Sequence, residues 1–451
     1  MAAACAAVLF FKLAYVWPVV SLPATIAFTS SIAWLTSRAT VRYSFYAGLA
    51  IGTTLAAIEL TFFHNIFGPA AIGLWLILGL WMSLFTATAA KVQQRWPGNG
   101  FLFFPVLWIG FEYFRGELYY LRFTWVTPGL ALVDGPWQSF LLLGQYGLSG
   151  LIALSGMLCV RKTAVGVVFT VVLLAVAAIP RSQPSESKAS DAPVVAGIQL
   201  EFEPEAEIPR YLDKVLAQVP DADILMLSEY TFNGLVPVET LNWCDENDRY
   251  LIVGGKDALV GGQFRNTVFV CGPDGSVVHK QAKMVPIQFF SDGLPAEEQK
   301  LWESPWGRVG FAICYDMSYT RVIDELVKHG AQVVLNPTMD PVVWGAYEHE
   351  LHSRIPAARA AEYGVPVYRL ASSGVSVFVD EYGEVQAKGH FPGKAQIVSS
   401  QLHWPESGRL PPDRWLTMIC VVVTILTIAV VNDWLAIFRV GRSDKRVGPK
   451  A

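Results

Sequence analysis

Charge is what this sequence lacks. Of its 451 residues only 16% are Asp, Glu, Lys or Arg, against roughly a quarter in an average soluble domain. That is too few for one ordinary soluble protein. An excess of basic residues is missing as well: 34 Lys and Arg against 38 Asp and Glu leave a net charge of -4, which excludes the basic footprint of a nucleic-acid binder. Cysteine is scarce, six residues scattered along the chain, and this excludes a disulfide scaffold. Internal repeats and low-complexity segments are absent. With 53% hydrophobic residues the chain is neither disordered nor collagen-like.

The apolar excess is concentrated. Residues 1–180 are almost continuously apolar, 192–400 have the composition of a soluble domain, and one further apolar run covers 415–438. Runs near 15–37, 43–63, 69–90, 100–114, 138–160 and 163–180 approach or reach the about 20 residues that a helix needs to cross the hydrocarbon core. Residues 2–12 are short for a span, and they make a poor secretory signal because Lys12 follows the apolar stretch. Basic residues orient the spans. Arg38 and Arg42, Lys91 and Arg95, and Arg161 and Lys162 form three short-loop clusters, and Arg439, Arg442, Lys445, Arg446 and Lys450 a fourth in the tail. With all four in the cytoplasm the spans alternate without contradiction and 181–414 fall outside. The N-terminus is cytoplasmic if residues 2–12 span and external if they do not. The expected plan is a multi-span membrane domain (1–180), a Ser-, Pro- and charge-rich linker (181–193), an external α/β domain (194–400), a transmembrane helix (415–438) and a basic cytoplasmic tail (439–451).

In the external part short β-rich runs alternate with helical stretches. VVAGIQL (194–200), ILMLSE (224–229), LIVGG (251–255), NTVFVC (266–271), VGFAIC (309–314), QVVLNP (332–337), PVYRL (366–370) and VSVFVD (375–380) read as strands. Helices are predicted near 207–218 and 320–329, which makes a layered α/β or α+β domain. Three residues there can carry chemistry. Cys314 closes an apolar strand, where sites form in layered α/β folds, although free cysteines are commonly packing residues. Glu229 closes another, and a carboxylate at the end of a buried run is costly unless paired or functional. Lys283 follows the NTVFVC strand, and lysines are mostly solvated. Together they form a covalent acyl-transfer set. The thiolate attacks a carbonyl, the glutamate moves the proton, and the lysine lowers the thiol pKa and stabilises the oxyanion. Of the other cysteines, Cys5, Cys159 and Cys420 lie in spans, and Cys244 and Cys271 share the external domain, where pairing is open to them.

Glu, Lys and Cys in this order resemble the nitrilase (carbon–nitrogen hydrolase) superfamily. DADILMLSEYTF around Glu229, GFAICYDMSY around Cys314, the following GAQVVLNP, and RAAEYGVPVYRLASSGVSVFVDEYGEV beyond it carry the likeness over about 194–395. The membrane spans before and after narrow the resemblance to the apolipoprotein N-acyltransferase family. FEYFRGELYYLRFTWVTPGLALVDGP (111–136) is similar to its extracytoplasmic segment, and PVVWG with His352 to its loop after the nucleophile. The resemblance implies a polytopic membrane domain joined to an αββα sandwich, set in the bacterial inner membrane with the catalytic domain on the periplasmic side and the C-terminus in the cytoplasm. It implies a ping-pong reaction in which an acyl chain passes from phospholipid, through a thioester on Cys314, to the N-terminal amine of a diacylglyceryl-cysteine lipoprotein. Glu229 is then the base, Lys283 the oxyanion partner, Tyr315 and Asp316 line the pocket, and Trp344 lies by the lipid entrance.

The sequence departs from the family in three places. The family's lysine position three residues before Leu-Val-Pro is Gln281 here, and Lys283 stands directly before Met284-Val285-Pro286, a spacing closer to aliphatic amidases; Lys280 is the second candidate. The supporting glutamate after the proline is missing from IQFFSDG, leaving Gln288 or Asp292 to substitute. The residue two after the cysteine is Asp316 rather than Glu. Two other readings use the same residues: a membrane-anchored amidase with water as acceptor (or an acyltransferase paralogue serving a dedicated system such as conjugal transfer), and a non-enzymatic scaffold. No metal or organic cofactor is implied, because the histidines of HELH (349–352) are three apart rather than four. A monomer is expected. In the membrane part, Glu112, Arg115, Glu117 and Arg122 among Tyr113, Tyr119, Tyr120 and Trp125 read as an aromatic belt with interfacial charges or as a lipid-facing surface under the site. Glu59, inside a span, is a functional candidate by position.

Overall fold

The computed structural model of the chain describes residues 1–177, 192–401 and 404–433. Backbone polar groups in an apolar medium must be satisfied within the segment, and the apolar runs accordingly form helices: α1 Ala2–Val16, α2 Ser21–Arg38, α3 Val41–Glu59, the single turn α4 Phe63–Phe67, α5 Ala71–Arg95, α6 Phe103–Tyr113, α7 Gln145–Arg161 and α8 Thr163–Ala177. Two boundaries differ from the hydropathy reading. The run 15–37 is broken before Pro18, where Trp17 is extended with φ -121° and ψ 91°, as the residue before a proline prefers. Residues 15 and 16 therefore end α1. The run 138–160 yields α7 only from Gln145, because Gly144 at φ +83° separates it from the 3₁₀ stretch Gln138–Leu143.

α3 and α5 approach through glycines. A methyl group on Gly52 would lie 2.7 Å from Met82 Cβ and 2.8 Å from Gly79 Cα, and one on Gly79 would lie 2.8 Å from the Thr53 amide nitrogen. Small residues let helices meet in lipid, where no hydrophobic force drives them together.

The external domain contains two six-stranded sheets. The first, in the order β12-β1-β2-β3-β4-β5, uses β1 Val194–Ile198, β2 Ala222–Met226, β3 Tyr250–Ala258, β4 Phe264–Cys271, β5 Val277–Ala282 and, from the chain's far end, β12 Ile397–Gln401. The second, β11-β10-β9-β8-β7-β6, uses β6 Trp302–Ser304, β7 Gly307–Phe311, β8 Val333–Thr338, β9 Val367–Ala371, β10 Val377–Val379 and β11 Val385–Lys388. Side chains alternate across a strand, and both faces are apolar. Ala196, Leu225 and Val253 pack with Ile208, Leu212 and Val215 of α9 (Ile208–Gln218) and Trp243 of α10 (Val238–Asn247). Their neighbours Val195, Ile224 and Ile252 pack with Val309, Phe311, Val333 and Leu335 of the second sheet. α11 (Thr320–Lys328) sets Leu326 against Gly310 of β7, and α12 (Ala346–Tyr363) lies on β9 and β10. The expected αββα sandwich is thus observed. All six cysteines are free thiols, and Cys244 and Cys271 are buried.

After the domain, α13 (Asp413–Val431) returns to the bundle. Pro18–Arg38, Phe63–Arg95 and Asp413–Val431 are long and apolar enough to cross a membrane. The 181–193 linker, apart from its last two residues, and everything after Asp433 lie outside the described residues. One end of the bundle gathers the basic loops: Gln94 donates to Ala39 O, Lys91 to Asn432 and Arg161 to Pro97 O, and the Met1 amine meets Tyr43 beside Arg42. Met1 therefore lies at the basic end, and α1 runs from it to the domain. The opposite end is knitted to the domain by helix caps exchanged in both directions. Glu117, between α6 and α7, accepts from the amide and hydroxyl of Thr320 at the start of α11, each at 2.9 Å. Glu362 of α12 accepts from the Gln145 amide at 2.5 Å, and Asp413 from Tyr146 and Gly147 at 3.0 and 3.1 Å, at the start of α7. Each satisfies amides that a helix start leaves without partners. Glu59, at the end of α3, is paired by Lys12 at 3.2 Å and by a short bond from Tyr347 of α12, so this carboxylate is a clamp between bundle and domain.

Candidate active site

Three loops converge between the sheets. Glu229 lies three residues past β2, Lys283 follows β5 directly, and Cys314 opens a 3₁₀ turn, Cys314–Ser318, three residues past β7. Their side chains are buried. Lys283 Nζ is bracketed by Glu229 Oε1 at 2.9 Å and Asp292 Oδ2 at 2.8 Å. Asn266 Nδ2 donates to both carboxylates, at 2.5 and 2.8 Å. The Met339 amide donates to Glu229 Oε2 at 2.8 Å, and Tyr230 Oη and the Ile287 amide donate to Asp292 at 2.7 and 2.8 Å. Cys314 has φ +49°, a left-handed conformation uncommon for a side-chain-bearing residue. Asp316 fixes this turn by accepting from the amides of Ile313 (3.2 Å), Met284 (3.0 Å) and Val285 (2.7 Å), which ties it to the lysine loop.

The electrostatics follow from burial. Desolvation works against the Lys283 ammonium, but Glu229 and Asp292 outweigh it and hold it protonated well above the ordinary range. Burial, and then the charge of Glu229, pushes the Cys314 thiol well above its ordinary value, with Lys283 opposing. Lys283 thus lowers the thiol pKa, as expected of it, but burial and Glu229 outweigh its effect. Burial raises Asp316 to about 6 against Lys283 and its three amide donors.

The candidates separate cleanly in space. Lys280 pairs with Asp257 at 2.6 Å on the exposed side of β5, away from Glu229. Gln288 donates to Tyr120 O at 3.2 Å and lies at the rim, so Asp292, not Gln288, stands at the lysine. His352 is on α12 rather than on a loop. Its Nδ1 is 3.0 Å from Asp340, which also takes a short bond from Arg369, and Trp125 stacks on its ring at 4.5 Å. Cys314, Asp340 and His352 each place one donor atom within 4.8 Å of the others. The Arg369 guanidinium pairs with one carboxylate oxygen of Asp340. Asn266, Asp340, Glu348 and Arg369 were not singled out from sequence. Only the strand-end place of Asp340, in VVLNPTMD, offered a signal.

A cleft of about 780 Å³, counted with the solvent at its opening, lies beside this cluster. Phe62, Leu78 and Phe123 of the membrane part line it together with Tyr315, Trp344 and Glu348 of the domain. Asn65 donates to Trp344 O at 3.1 Å, tying the Trp344 loop to the membrane part. A second, mostly apolar cleft lies among the bundle helices, and Leu78 lines both.

Two family descriptions match this chain: the apolipoprotein N-acyltransferase N-terminal domain over residues 2–158 and carbon–nitrogen hydrolase over 178–402. The chain belongs to the apolipoprotein N-acyltransferase family. A relative of that name from Shewanella oneidensis is 24% identical, covering 84% of this chain and 86% of its own, and one from Geobacter metallireducens is 22% identical over 76% of each. An omega-amidase of Xenopus laevis is 30% identical, but over 34% of this chain and 61% of its own. Nit3 of Saccharomyces cerevisiae, a solved structure, superposes with a TM-score of 0.41 at 20% identity over 48% of this chain and 91% of its own. As a member of the apolipoprotein N-acyltransferase family the chain is a membrane enzyme, an acyltransferase built on a carbon–nitrogen hydrolase fold.

Proposed function

We propose that the enzyme moves an acyl chain from a phospholipid to the N-terminal amine of a diacylglyceryl-cysteine lipoprotein through a thioester on Cys314, with Glu229, Lys283 and Cys314 as the reacting set. The observation that carries the reading is the shared cavity. Its walls come from membrane helices and from Tyr315, the neighbour of Cys314, so a lipid acyl chain seated there has its carbonyl end beside the cysteine turn. Because burial keeps Cys314 a thiol, a base is required, and Glu229 takes the Sγ proton as sulfur attacks the ester carbonyl. Lys283 stabilises the oxyanion. The C–O bond then breaks and Glu229 returns the proton to the leaving lysophospholipid. In the second half the acceptor amine attacks the thioester, the C–S bond breaks, and the amine's proton passes through Glu229 to Sγ. Asp292 holds Lys283, and Asp316 holds the cysteine turn.

The same reading places the basic end of the bundle in the cytoplasm and the domain on the periplasmic face of the inner membrane, with the enzyme acting as a monomer. Donor and acceptor then share one leaflet, which raises their effective concentration at the site. The test is direct: incubation with phospholipid is expected to add an acyl mass to the Cys314 peptide, with release of lysophospholipid. Absence of the adduct with every phospholipid class would refute the reading.

A further inference from the structure

Glu348 is a carboxylate with nothing to do in the chemistry above. It stands in the first turn of α12, is 1% exposed, and neither of its carboxylate oxygens has a hydrogen-bond partner. A buried carboxylate left this way costs free energy unless a ligand completes it. It also lines the lipid cavity, where Arg122 is the other charged lining residue. His352 Nδ1 lies 3.6 Å and His349 Nδ1 3.8 Å away, within reach of charge attraction but too long for a normal hydrogen bond, so they offset only part of the burial of Glu348. Since His352 adjoins Cys314, Glu348 stands one side chain further out than the thiol, on the cavity side.

We propose that Glu348 is the site for a lipid-borne primary ammonium, that of the acceptor, and takes its first proton before the amine attacks the thioester. This rests on the function proposed above. The steps balance. The ammonium N–H passes one proton to the Glu348 carboxylate, leaving a neutral amine and a carboxylic acid. The amine nitrogen bonds to the thioester carbonyl carbon, the C–S bond breaks, and the second proton reaches Sγ through Glu229. The acid then releases its proton to solvent. An ammonium suits the place because it supplies charge and hydrogen-bond donors together to the empty oxygens. The groups facing Glu348 are Asp340, His349, His352 and Arg369, with Arg122 across the cavity. Burial and then Asp340 raise Glu348 to about 7, near the roughly 7.7–8.0 of an α-amine, so proton transfer between them is close to balanced.

The experiment separates the two half-reactions of the full-length enzyme in detergent, using Glu348→Gln and, as a rescue, Glu348→Asp. Acyl-enzyme is formed with phosphatidylglycerol or phosphatidylethanolamine and chased with a synthetic peptide that begins with S-diacylglyceryl-cysteine. Expected for Glu348→Gln is a normal acyl adduct from both donors, a tenfold or greater rise in the peptide's KM at pH 7, and a gap that narrows at pH 9, where the amine is already neutral. Glu348→Asp is expected to recover part of the loss. Normal transfer by Glu348→Gln at pH 7 would overturn the proposal, as would an equal fall in both half-reactions, the mark of a structural role. Slower acylation by phosphatidylethanolamine alone would assign the site to the donor's head group instead, and so also overturns it. Failure of the wild-type enzyme to form any adduct would reject the function reading itself, a result distinct from these.

Discussion

Substituting Asp292 by Asn tests whether this residue replaces the family's missing glutamate. Lys283 Nζ is 2.8 Å from Asp292 and 2.9 Å from Glu229, so the two carboxylates hold the ammonium about equally. Removing a partner from a buried pair costs about 3–5 kcal/mol when the remaining charge is left alone. Here Glu229 keeps the lysine paired and the repulsion between the two carboxylates, both bound by Asn266, is relieved, so the lower end, about 3 kcal/mol, is expected. At about 2–4 °C per kcal/mol for a domain of this size, the thermal midpoint in detergent falls by about 6–12 °C. The rate of acyl-enzyme formation falls about 100-fold, the scale of a displaced oxyanion donor. The sign with pH is set by the pair. Burial would raise Asp292, but Lys283 outweighs it and lowers it. Its stabilisation is therefore fully present above the unfolded value of about 3.9 and is lost as pH falls through the lower folded value. The gap in midpoint between wild type and Asp292→Asn should hold from pH 7 to 5 and close only in stronger acid. Gln288→Ala, at the rim, should stay within a few-fold of wild type. An unchanged midpoint with wild-type acylation in Asp292→Asn, or an equal loss in Gln288→Ala, would refute the reasoning.

Other expectations follow from the same geometry. Cys314→Ala and Glu229→Gln should each abolish the acyl adduct seen by mass spectrometry, Glu229→Gln by about 10²–10⁴-fold for a lost general base. Asp316, raised to about 6 by burial, contributes stability that is fully present below its unfolded value and is lost as pH rises toward 6; a midpoint series from pH 4 to 7 should fall in the wild type and flatten in Asp316→Asn. Gly79→Val should lower the fraction of monodisperse protein on size exclusion, because the added carbon meets the Thr53 backbone at 2.8 Å and overpacking costs about 1–3 kcal/mol.

The fold was largely legible because its signals are one-dimensional. Eight strands of the domain were visible as apolar runs, two of its helices as amphipathic stretches, and the bundle helices as longer apolar runs. What escaped had weak local signals. β5, β6, β11 and β12 are short or solvent-facing, with Val277, Val278 and Val385 exposed. α12 is buried nearly all round and contains Pro356, so it shows neither an apolar stripe nor a clean helical run, and Glu348, which it carries into the site, went unseen with it. Order and local context placed Glu229, Lys283 and Cys314 together before any coordinates. The partners of the lysine depend on how the loop 284–292 folds back, which brings Asp292 rather than Gln288 to Nζ. No spacing rule contains that.

The left-handed backbone at Cys314 has an evolutionary corollary. Position 314 asks for glycine on conformational grounds and for sulfur on chemical ones. A glycine there would relax the turn and leave an inert protein, so selection for thermal robustness alone would carry the position away from cysteine. In a mutational library scored for folding, Cys314→Gly should rank above Cys314→Ala and above wild type, and the same library scored for activity should reverse that order.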